Sequence, residues 1–393
     1  MSIENFIREN YVERKRTDSV KWDGLKDKFG HEDLLPLWVA DMDFKAPKEV
    51  QEALMKRIEH GVFGYSFAGE SYYEAFINWQ KKRHGIHVEK EWLRFTTGVV
   101  NSFNFLIQAL TKEEESVIIL APVYYPFFDA VKNNRRRLVV SNLVESKGHY
   151  TIDFEDFEEK IRQNKVKVFL HCSPQNPVGR IWKKEELEKL FNICQKYQVK
   201  IISDEIHQDF IQPGKEFVSA LSVGNEYLED IAVLTSSSKS FNLASLLHSH
   251  VIIPSEAVRI IYDKHVQTVI NNPDSLMGMI ATEAAYTSGE QWLDDLIDVI
   301  ELNFKVMKEK ITEELPHVVI AEKEATYLAW VDLSYYIEKS EMVSVIQDKA
   351  KLAIDYGEWF DENSSGFIRI NLATKTENIE KAVDQLVASI KLK

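Results

Sequence analysis

Cysteine is scarce in this sequence of 393 residues, and long uncharged apolar runs are missing. The two cysteines, Cys172 and Cys194, are too few for a disulfide framework and lack the spacing of paired metal ligands. No stretch reaches the roughly 18 apolar residues that cross a bilayer. The opening letters MSIENFIREN also lack the apolar centre of a signal peptide. We therefore expect a cytoplasmic protein that holds no metal.

Basic residues are outnumbered by acidic ones. The sequence has 48 Lys and Arg against 62 Asp and Glu, which gives a net charge of -14. A surface of this sign repels phosphate backbones and anionic lipids. The basic run at 135–137 precedes an apolar stretch, and we expect it to be the solvated start of a strand. The charge balance therefore argues against a partner of nucleic acid or membrane.

Apolar residues make up 45% of the chain, which is enough to close sizeable cores. Between about residues 92 and 254, short apolar runs alternate with longer amphipathic ones, as is typical of βαβ units around a largely parallel sheet. Helices are predicted at 101–110 and 184–197. Strands are predicted at 117–120, 137–141, 167–171, 200–203, 231–235 and 250–253.

A different pattern begins near residue 280, and no repeat or low-complexity linker interrupts the chain. A long helical stretch runs to 315, followed by a strand at 326–333, a helix near 342–350 and a strand at 367–372. We thus expect an α/β protein with a second, smaller α+β domain. The predicted parts are an N-terminal segment at 1–45 that packs across both domains, a large domain at 46–285 and a small domain at 286–393.

Polar residues directly follow three of the predicted strands. The letters CSPQNP follow the strand at 167–171, DEIH follows the strand at 200–203, and SSSK follows the strand at 231–235. Ligands of open parallel sheets bind beyond the carboxyl ends of the strands. An amide, a carboxylate, an imidazole, hydroxyls and an amine are therefore expected to converge on one edge of the sheet.

Lys239 is the most informative of these residues, because a lysine held at a strand end can act as a neutral nucleophilic amine. A lone lysine is more often a solvated surface charge. The upstream residues Asp204 and Asn176 favour a chemical role for Lys239 over a solvated surface charge. An aldehyde cofactor with a pyridinium nitrogen needs an amine, a carboxylate and a hydrogen-bond donor for its ring hydroxyl.

The letters TTGVVN at 96–101 open a predicted helix and could supply backbone donors to a phosphate. One glycine, Gly98, is weak support, and a simple turn between strand and helix is the alternative. Ser236 and Ser238 could add hydroxyls from the other side, although serine more commonly caps a helix.

Motifs along almost the whole chain carry a family resemblance. They are LPLWVADMDF at 35–44, GVFGYSF at 61–67, TTGVVNSF at 96–103, APVYYPF at 121–127, SPQNPVGRIW at 173–182, SDEIHQDF at 203–210, SSSKSFNLA at 236–244, YLAWVDLS at 327–334 and FIRINLAT at 367–374. The sequence resembles fold-type I pyridoxal-phosphate (PLP) enzymes, in particular the MalY/PatB-type cystathionine β-lyase branch of the class I/II aminotransferases. The resemblance implies a mostly parallel, seven-stranded sheet in the large domain.

The resemblance also implies roles for the residues around the cofactor ring. Lys239 would bind PLP covalently and Asp204 would pair with the pyridine nitrogen, while Tyr124 would stack on the ring. These three residues are the predicted catalytic set. Asn176 would donate to the phenolic oxygen of the ring, which His207 would support indirectly; an isolated histidine would otherwise be expected to have a structural role.

Further roles concern the phosphate and the substrate. Arg369 would bind the substrate α-carboxylate, with a second contact from the backbone near Ala40, and Trp38 would shape the pocket; the alternative for Arg369 is an exposed strand arginine. The residues implied in phosphate binding are Gly98, Val99, Val100, Ser236 and Ser238, together with Tyr65 from a second subunit. The last role requires a homodimer with shared active sites.

Three positions depart from the family pattern. Leu247 stands where many aminotransferases carry an arginine that neutralises the phosphate, and Ser245 and Ala325 stand where relatives often have glycine. None of these changes affects Lys239 or Asp204.

The implied activity is a C–S β-lyase that converts cystathionine, cysteine or related S-substituted cysteines into a thiol, pyruvate and ammonia. An aminotransferase would share the same site residues and differ only in the fate of the carbanion formed by loss of the Cα proton. A PLP-binding regulator acting through protein contacts is an alternative of another class, although no DNA-binding domain is appended.

Overall fold

The computed structural model describes residues 1–270 and 274–391 of the chain. Its largest sheet has seven strands, and the strand Ser249–Ile252 is antiparallel to both of its neighbours, whereas the other pairs are parallel. In spatial order the strands are Leu93–Thr96, Ser249–Ile252, Ile231–Thr235, Lys200–Asp204, Val168–Cys172, Ser116–Ala121 and Arg137–Asn142. The prediction of a mostly parallel, seven-stranded sheet is confirmed.

The central strands are buried along their whole length. Every residue of Ser116–Ala121, Val168–Cys172 and Ile231–Thr235 is buried, because helices cover both faces of the sheet. Such strands have continuous apolar sequences, which is why the sequence revealed them. The strand Leu93–Thr96 was not predicted, since it is short, lies at the sheet edge and contains Arg94, which pairs with Asp263.

Helices flank this sheet on both sides. In Lys184–Lys196 the buried residues Leu187, Leu190, Phe191 and Cys194 lie on one face, as the three- and four-residue spacing predicts. The helices that belong to this part are Lys48–His60, Glu70–His84, Val99–Leu110, Pro126–Asn133, Phe154–Asn164, Lys184–Lys196, Ser237–Ser240, Glu256–Val269 and Leu276–Ser288. A hairpin of Val144–Ser146 and His149–Thr151 lies outside the large sheet.

A second, antiparallel sheet has four strands. In spatial order they are Val319–Ile320, Leu328–Asp332, Phe367–Asn371 and Asp355–Tyr356. The helices Glu290–Glu314 and Thr376–Lys391 pack together beside it. The helix predicted near 342–350 is a π-helical turn, Ser344–Lys349, preceded by a 3-10 turn.

The single helical stretch predicted from about 280 to 315 is wrong in one respect, because two helices meet there at Gly289. A Cβ atom on Gly289 would lie 2.6 Å from both the carbonyl oxygen of Ala285 and the ring of Phe241. The close approach of these groups therefore requires glycine at the junction between Leu276–Ser288 and Glu290–Glu314.

The N-terminal segment bonds to residues beside both sheets, namely Asn242 in the large part and Asn371 in the antiparallel sheet. It contains the helices Ile3–Asn10, Val20–Asp23 and Leu25–Phe29, followed by the two-residue strand Leu35–Pro36, which pairs in parallel with Leu352–Ala353. Within residues 1–270 and 274–391, no helix combines the length and apolar character needed to cross a membrane.

A buried ion pair fixes this segment internally. Nζ of Lys21 lies 3.0 Å from Oδ2 of Asp43, and both side chains are 0% exposed. The indole Nε1 of Trp22 donates to the other carboxylate oxygen at 2.9 Å. Removing one member of a buried pair leaves the other charge uncompensated, which is far more costly than losing a surface pair.

We expect Asp43→Asn to lower the free energy of unfolding by about 3–5 kcal/mol, because Lys21 stays buried without a counter-charge. Denaturant unfolding followed by circular dichroism measures the change. Glu32→Gln is the control, since its partner Lys26 is exposed and its loss should change the midpoint little. Equal midpoints for the two variants would show that the buried pair does not hold the segment.

Candidate active site

A cavity of about 290 Å³ lies at the carboxyl ends of the parallel strands, where the sequence places its polar clusters. This volume is close to the lower end of the range for small-molecule sites. The residues that line it are Ala40, Thr97, Gly98, Val99, Val100, Asn101, Tyr124, Cys172, Asn176, Asp204, Ile206, His207, Ser238, Lys239, Ala244 and His248. The predicted convergence on one edge of the sheet is thus seen in the structure.

Lys239 is a half-buried residue of the short helix Ser237–Ser240, which begins just after the strand Ile231–Thr235. Ser236 caps this helix, because its hydroxyl oxygen accepts from the backbone N–H of Ser238 at 3.0 Å. Nζ of Lys239 donates to the carbonyl oxygen of Ala40 at 2.6 Å. Burial lowers the pKa of Lys239 to about 8, so a large fraction of the amine is neutral and nucleophilic near pH 8.

Asp204 ends the strand Lys200–Asp204 and is 5% exposed. Its Oδ1 accepts from the backbone N–H of Ile206 at 3.1 Å. Burial raises the pKa of Asp204 to about 7, against the opposing effects of that hydrogen bond and of the charge on Lys239. A cationic N–H group beside this carboxylate would favour its charged form.

Asp209 holds the helix of Lys239 in place and was not singled out from the sequence. Its carboxylate accepts from Nε1 of Trp79 at 3.1 Å, contacts Nε2 of His84 at 2.8 Å and accepts from the hydroxyl of Ser240. Burial alone would raise the pKa of Asp209, but the bond to His84 and the nearby positive charge lower it overall. The ionised carboxylate therefore anchors the residue that follows Lys239.

Arg369 is buried at 2% exposure on the strand Phe367–Asn371, so the alternative of an exposed strand arginine is wrong. One terminal nitrogen donates to Oδ1 of Asn176 at 3.0 Å, and the other donates to the carbonyl oxygen of Trp38 at 3.2 Å and to Asp355. Its Nε has no hydrogen-bond partner among the described residues. A buried, unpaired N–H of a guanidinium is suited to a ligand carboxylate.

Two aromatic side chains occupy the cavity wall. Tyr124 lines it, and burial raises the pKa of its hydroxyl well above the ordinary range. His207 is buried, with no partner for Nδ1 among the described residues. Burial and the positive charges of Lys239 and Arg369 lower the pKa of His207, so its ring is neutral.

The predicted phosphate residues divide into two groups. Gly98, Val99, Val100 and Ser238 line the cavity at the start of the helix Val99–Leu110, where backbone N–H groups can bind an anion. Ser236 is not a lining residue, and its hydroxyl donates to the carbonyl oxygen of His248 at 2.7 Å. A direct role for Ser236 therefore stays a prediction.

Two other predicted residues lie away from the cavity wall. Tyr65 is 99% exposed between the helices Lys48–His60 and Glu70–His84, and it is not among the lining residues. The indole of Trp38 donates to the carbonyl oxygen of Lys21. Trp38 instead contacts the site through its backbone carbonyl oxygen, which accepts a hydrogen bond from Arg369.

Besides Asp209, sequence reasoning missed three residues that complete this site. Asp355 pairs with Arg369, the hydroxyl of Tyr327 donates to the carbonyl oxygen of Ala40 at 2.8 Å, and His248 lines the cavity. Asp355 carries no local signal, because it lies in a short strand far along the chain. Tyr327 falls within the quoted motif YLAWVDLS, and His248 directly follows Leu247, so both positions could have been found.

Comparisons with known proteins identify relatives of this chain. The sequence profile of Aminotransferase class I and II matches residues 32–386. The chain is 35% identical over 379 residues to Cystathionine beta-lyase PatB of Bacillus subtilis (strain 168), covering 96% of this chain and 98% of the relative. Two solved structures each cover 97% of this chain and 98% of their own, with TM-scores of 0.94. They are a PLP-bound putative aminotransferase from Clostridium difficile 630, at 38% identity, and PLP-containing cystalysin from Treponema denticola, at 35% identity.

The lowered pKa of Lys239 gives a direct prediction for the protein without cofactor. Acetylation requires the neutral amine, so the pH at which Lys239 reacts half-maximally should lie near 8, whereas an ordinary exposed lysine titrates near 10.4. Peptide mass spectrometry after pulses of acetylating reagent at pH 6.5 to 11 measures the reaction. A midpoint above pH 10 would show that burial does not favour the neutral amine at this position.

Proposed function

This chain belongs to the class I and II aminotransferase family, and we propose that within this family it is a PLP-dependent C–S β-lyase. Its substrates are L-cystathionine, L-cysteine or related S-substituted cysteines, and its products are a thiol, pyruvate and ammonia. The observation that carries the proposal is one cavity lined by Lys239, Asp204 and Asn176, with Arg369 bonded to Asn176 behind its wall, in a chain closely similar to proteins named as C–S lyases.

The residues of the cavity fit PLP on chemical grounds. Lys239 supplies an amine of lowered pKa for covalent attachment, and Asp204 supplies a buried carboxylate for the pyridine nitrogen. Oδ1 of Asn176 accepts from Arg369, so its amide nitrogen is the group left to donate to the ring oxygen. The N-terminus of Val99–Leu110, with Gly98 at its cap, would hold the phosphate. Bound PLP supplies an electron sink for the negative charge that develops on Cα.

The amine of Lys239 carries out the proton transfers that the protein contributes to the reaction. As the free amine, no longer attached to the cofactor, Lys239 would take the proton from Cα of the substrate, and the bond between Cβ and sulfur would then break with its electron pair leaving on sulfur. The same Nζ can return the proton to the departing sulfur atom. Asp204 would be ionised beside the cationic pyridine nitrogen of bound PLP and would favour the protonated form of that nitrogen. Hydrolysis of the remaining three-carbon fragment yields pyruvate and ammonia.

The guanidinium of Arg369 orients the substrate. Asp355, Asn176 and the carbonyl oxygen of Trp38 hold its terminal nitrogens, which fixes the plane of the group and leaves Nε for the α-carboxylate. A fixed carboxylate restricts rotation of the substrate about its Cα, and that orientation decides which bond of Cα is broken. Tyr124, on the cavity wall, would limit movement of the ring.

A homodimer with shared active sites is the assembly that we propose. The segment between the helices Lys48–His60 and Glu70–His84 exposes an unusual number of large apolar side chains, which a monomer would not be expected to leave in water. These exposed residues are Val62, Phe63, Tyr65 and Phe67. Tyr65 would reach the phosphate in the partner's cavity, and we place the dimer in the cytoplasm.

Product analysis with L-cystathionine tests the reaction. The holoenzyme should release pyruvate and a thiol in equal amounts without any 2-oxo acid acceptor. Lys239→Ala should lower this rate by about 10³-fold or more and remove the visible absorption of bound PLP, because no other amine replaces it. Lys305→Ala, at an exposed position on Glu290–Glu314, is the matched control and should match the wild type.

Other product patterns identify the alternatives. Formation of a sulfur-containing 2-oxo acid only when an acceptor is added would assign an aminotransferase. A PLP spectrum without either product from any sulfur amino acid tested would point to a regulator.

Mixed dimers test the role of Tyr65. Tyr65→Phe alone should raise the PLP dissociation constant by roughly 10- to 100-fold, because a hydrogen bond to a charged group is lost. A heterodimer is then formed from one Tyr65→Phe subunit and one Lys239→Ala subunit. If each site takes Lys239 from one subunit and Tyr65 from the other, one site carries both substitutions and the other carries neither. Activity should therefore reappear at up to about half the wild-type level and at wild-type PLP affinity. Surviving sites that bind PLP as weakly as the Tyr65→Phe homodimer would place the tyrosine in its own subunit's site.

A further inference from the structure

Three buried polar side chains form a cluster beside the cavity, and the proposed reaction gives them no role. Oη of Tyr72 lies 2.5 Å from Nε2 of His248 and 2.5 Å from Nε2 of His250. The three residues are at most 4% exposed. Burying two imidazoles and a phenol is costly unless their polar atoms are bonded.

His248 is the member of this cluster that lines the cavity, alongside Gly98, Val99 and Ser238. The strand register accounts for its place, because Ser249 pairs with Thr96 and so brings His248 beside the turn at which the helix Val99–Leu110 begins. His250 instead stacks on Phe76, with ring centroids 4.1 Å apart. The two histidines therefore share one tyrosine but face different surroundings.

One ring nitrogen of His248 is left without a protein partner. Nε2 is bonded to Tyr72, whereas Nδ1 is buried and has no hydrogen-bond partner among the described residues. Tyr72 has one hydroxyl proton for two imidazoles, so it can donate to one and accept from the other. When it donates to Nε2 of His248 and accepts from His250, the neutral ring of His248 carries its proton on Nδ1.

Among the described residues that line the cavity, Lys239 is the only lysine or arginine. Leu247, at the position where many related enzymes carry an arginine, is 54% exposed. Lys239 donates to the carbonyl oxygen of Ala40, and His207 lies against Tyr327. A phosphate dianion accepts hydrogen bonds from every direction, so donors beyond one helix N-terminus are needed to hold it.

We propose that His248 binds the phosphate group of the cofactor by donating from Nδ1, while the hydroxyl of Tyr72 donates to its Nε2. His248 thereby supplies a donor that Leu247 cannot. The inference rests on the proposed function only in requiring a phosphate-bearing cofactor in this cavity. It does not depend on which bond of the substrate is broken.

Two substitutions of His248 separate its two nitrogens. His248→Gln keeps a polar group near the position of Nε2, which can still meet Tyr72, and loses the donor at Nδ1. His248→Asn keeps an amide donor near the position of Nδ1. His265→Gln is the matched control, since this half-buried histidine bonds to Gln108 and is not among the residues that line the cavity.

Equilibrium binding to the cofactor-free protein provides the measurement. PLP and pyridoxal, which has the same ring and aldehyde but no phosphate, are titrated separately and followed by absorbance and tryptophan fluorescence. His248→Gln should raise the PLP dissociation constant by roughly 10- to 100-fold and leave that of pyridoxal unchanged. His248→Asn should stay closer to the wild type, and His265→Gln should change neither constant. Inorganic phosphate should compete with PLP in the wild type and less well in His248→Gln.

The proposal is overturned if His248→Gln binds PLP as tightly as the wild type does. It is also overturned if PLP and pyridoxal weaken by the same factor, because the imidazole would then support the cavity rather than the phosphate. Wild-type protein that binds PLP but yields neither thiol nor pyruvate would refute the proposed reaction and leave this assignment standing. The two failures are therefore distinguishable.

Discussion

The burial of an amine and a carboxylate at the same sheet edge is the constraint on which the site depends. Desolvation penalises the charged form of either group, so it lowers the pKa of Lys239 and raises that of Asp204. The pKa of Lys239, about 8, lies in the range for proton transfer near neutral pH, whereas Asp204, with a pKa of about 7, would be held in its charged form by a cationic ligand group. A sheet whose central strands are buried along their whole length provides this dry edge.

The N-terminal segment completes the site, although it is remote in sequence from the other residues. The carbonyl oxygen of Ala40 accepts from both Lys239 and Tyr327. The segment is held on one side by Asn242, which bonds the backbone of Met42 and Phe44, and on the other by Asn371. The amide side chains of Asn242 and Asn371 thus fix the carbonyl oxygen of Ala40 beside the amine of Lys239. Polar side chains are needed at these two positions because the backbone groups they bond would otherwise lack partners.

The sequence predicted the features that depend on local pattern and missed those that depend on distant contacts. Continuous apolar runs located the buried strands, and the polar residues after them located Lys239, Asp204 and Asn176 at one cavity. Asp355 and Asp209 were not found, because a carboxylate becomes informative only when the fold places it against a partner such as Arg369 or His84. The edge strand Leu93–Thr96 was missed for a similar reason, since its charge is compensated by Asp263 on a distant helix.

Charge compensation also explains why the site can accept a multiply charged ligand. Arg369 is already paired with Asp355, so the pair adds no net charge and an α-carboxylate meets an oriented N–H rather than a bare cation. Asp204 is buried and its pKa is raised, and a protonated ring nitrogen would provide the cation that favours its charged form. The phosphate would then depend on dipoles and neutral donors: the helix N-terminus at Gly98, the hydroxyl of Ser238 and the imidazole of His248. Because each hydrogen bond of this kind is weaker than an arginine pair, the site needs several of them together, and a second subunit that contributes Tyr65 would add one more.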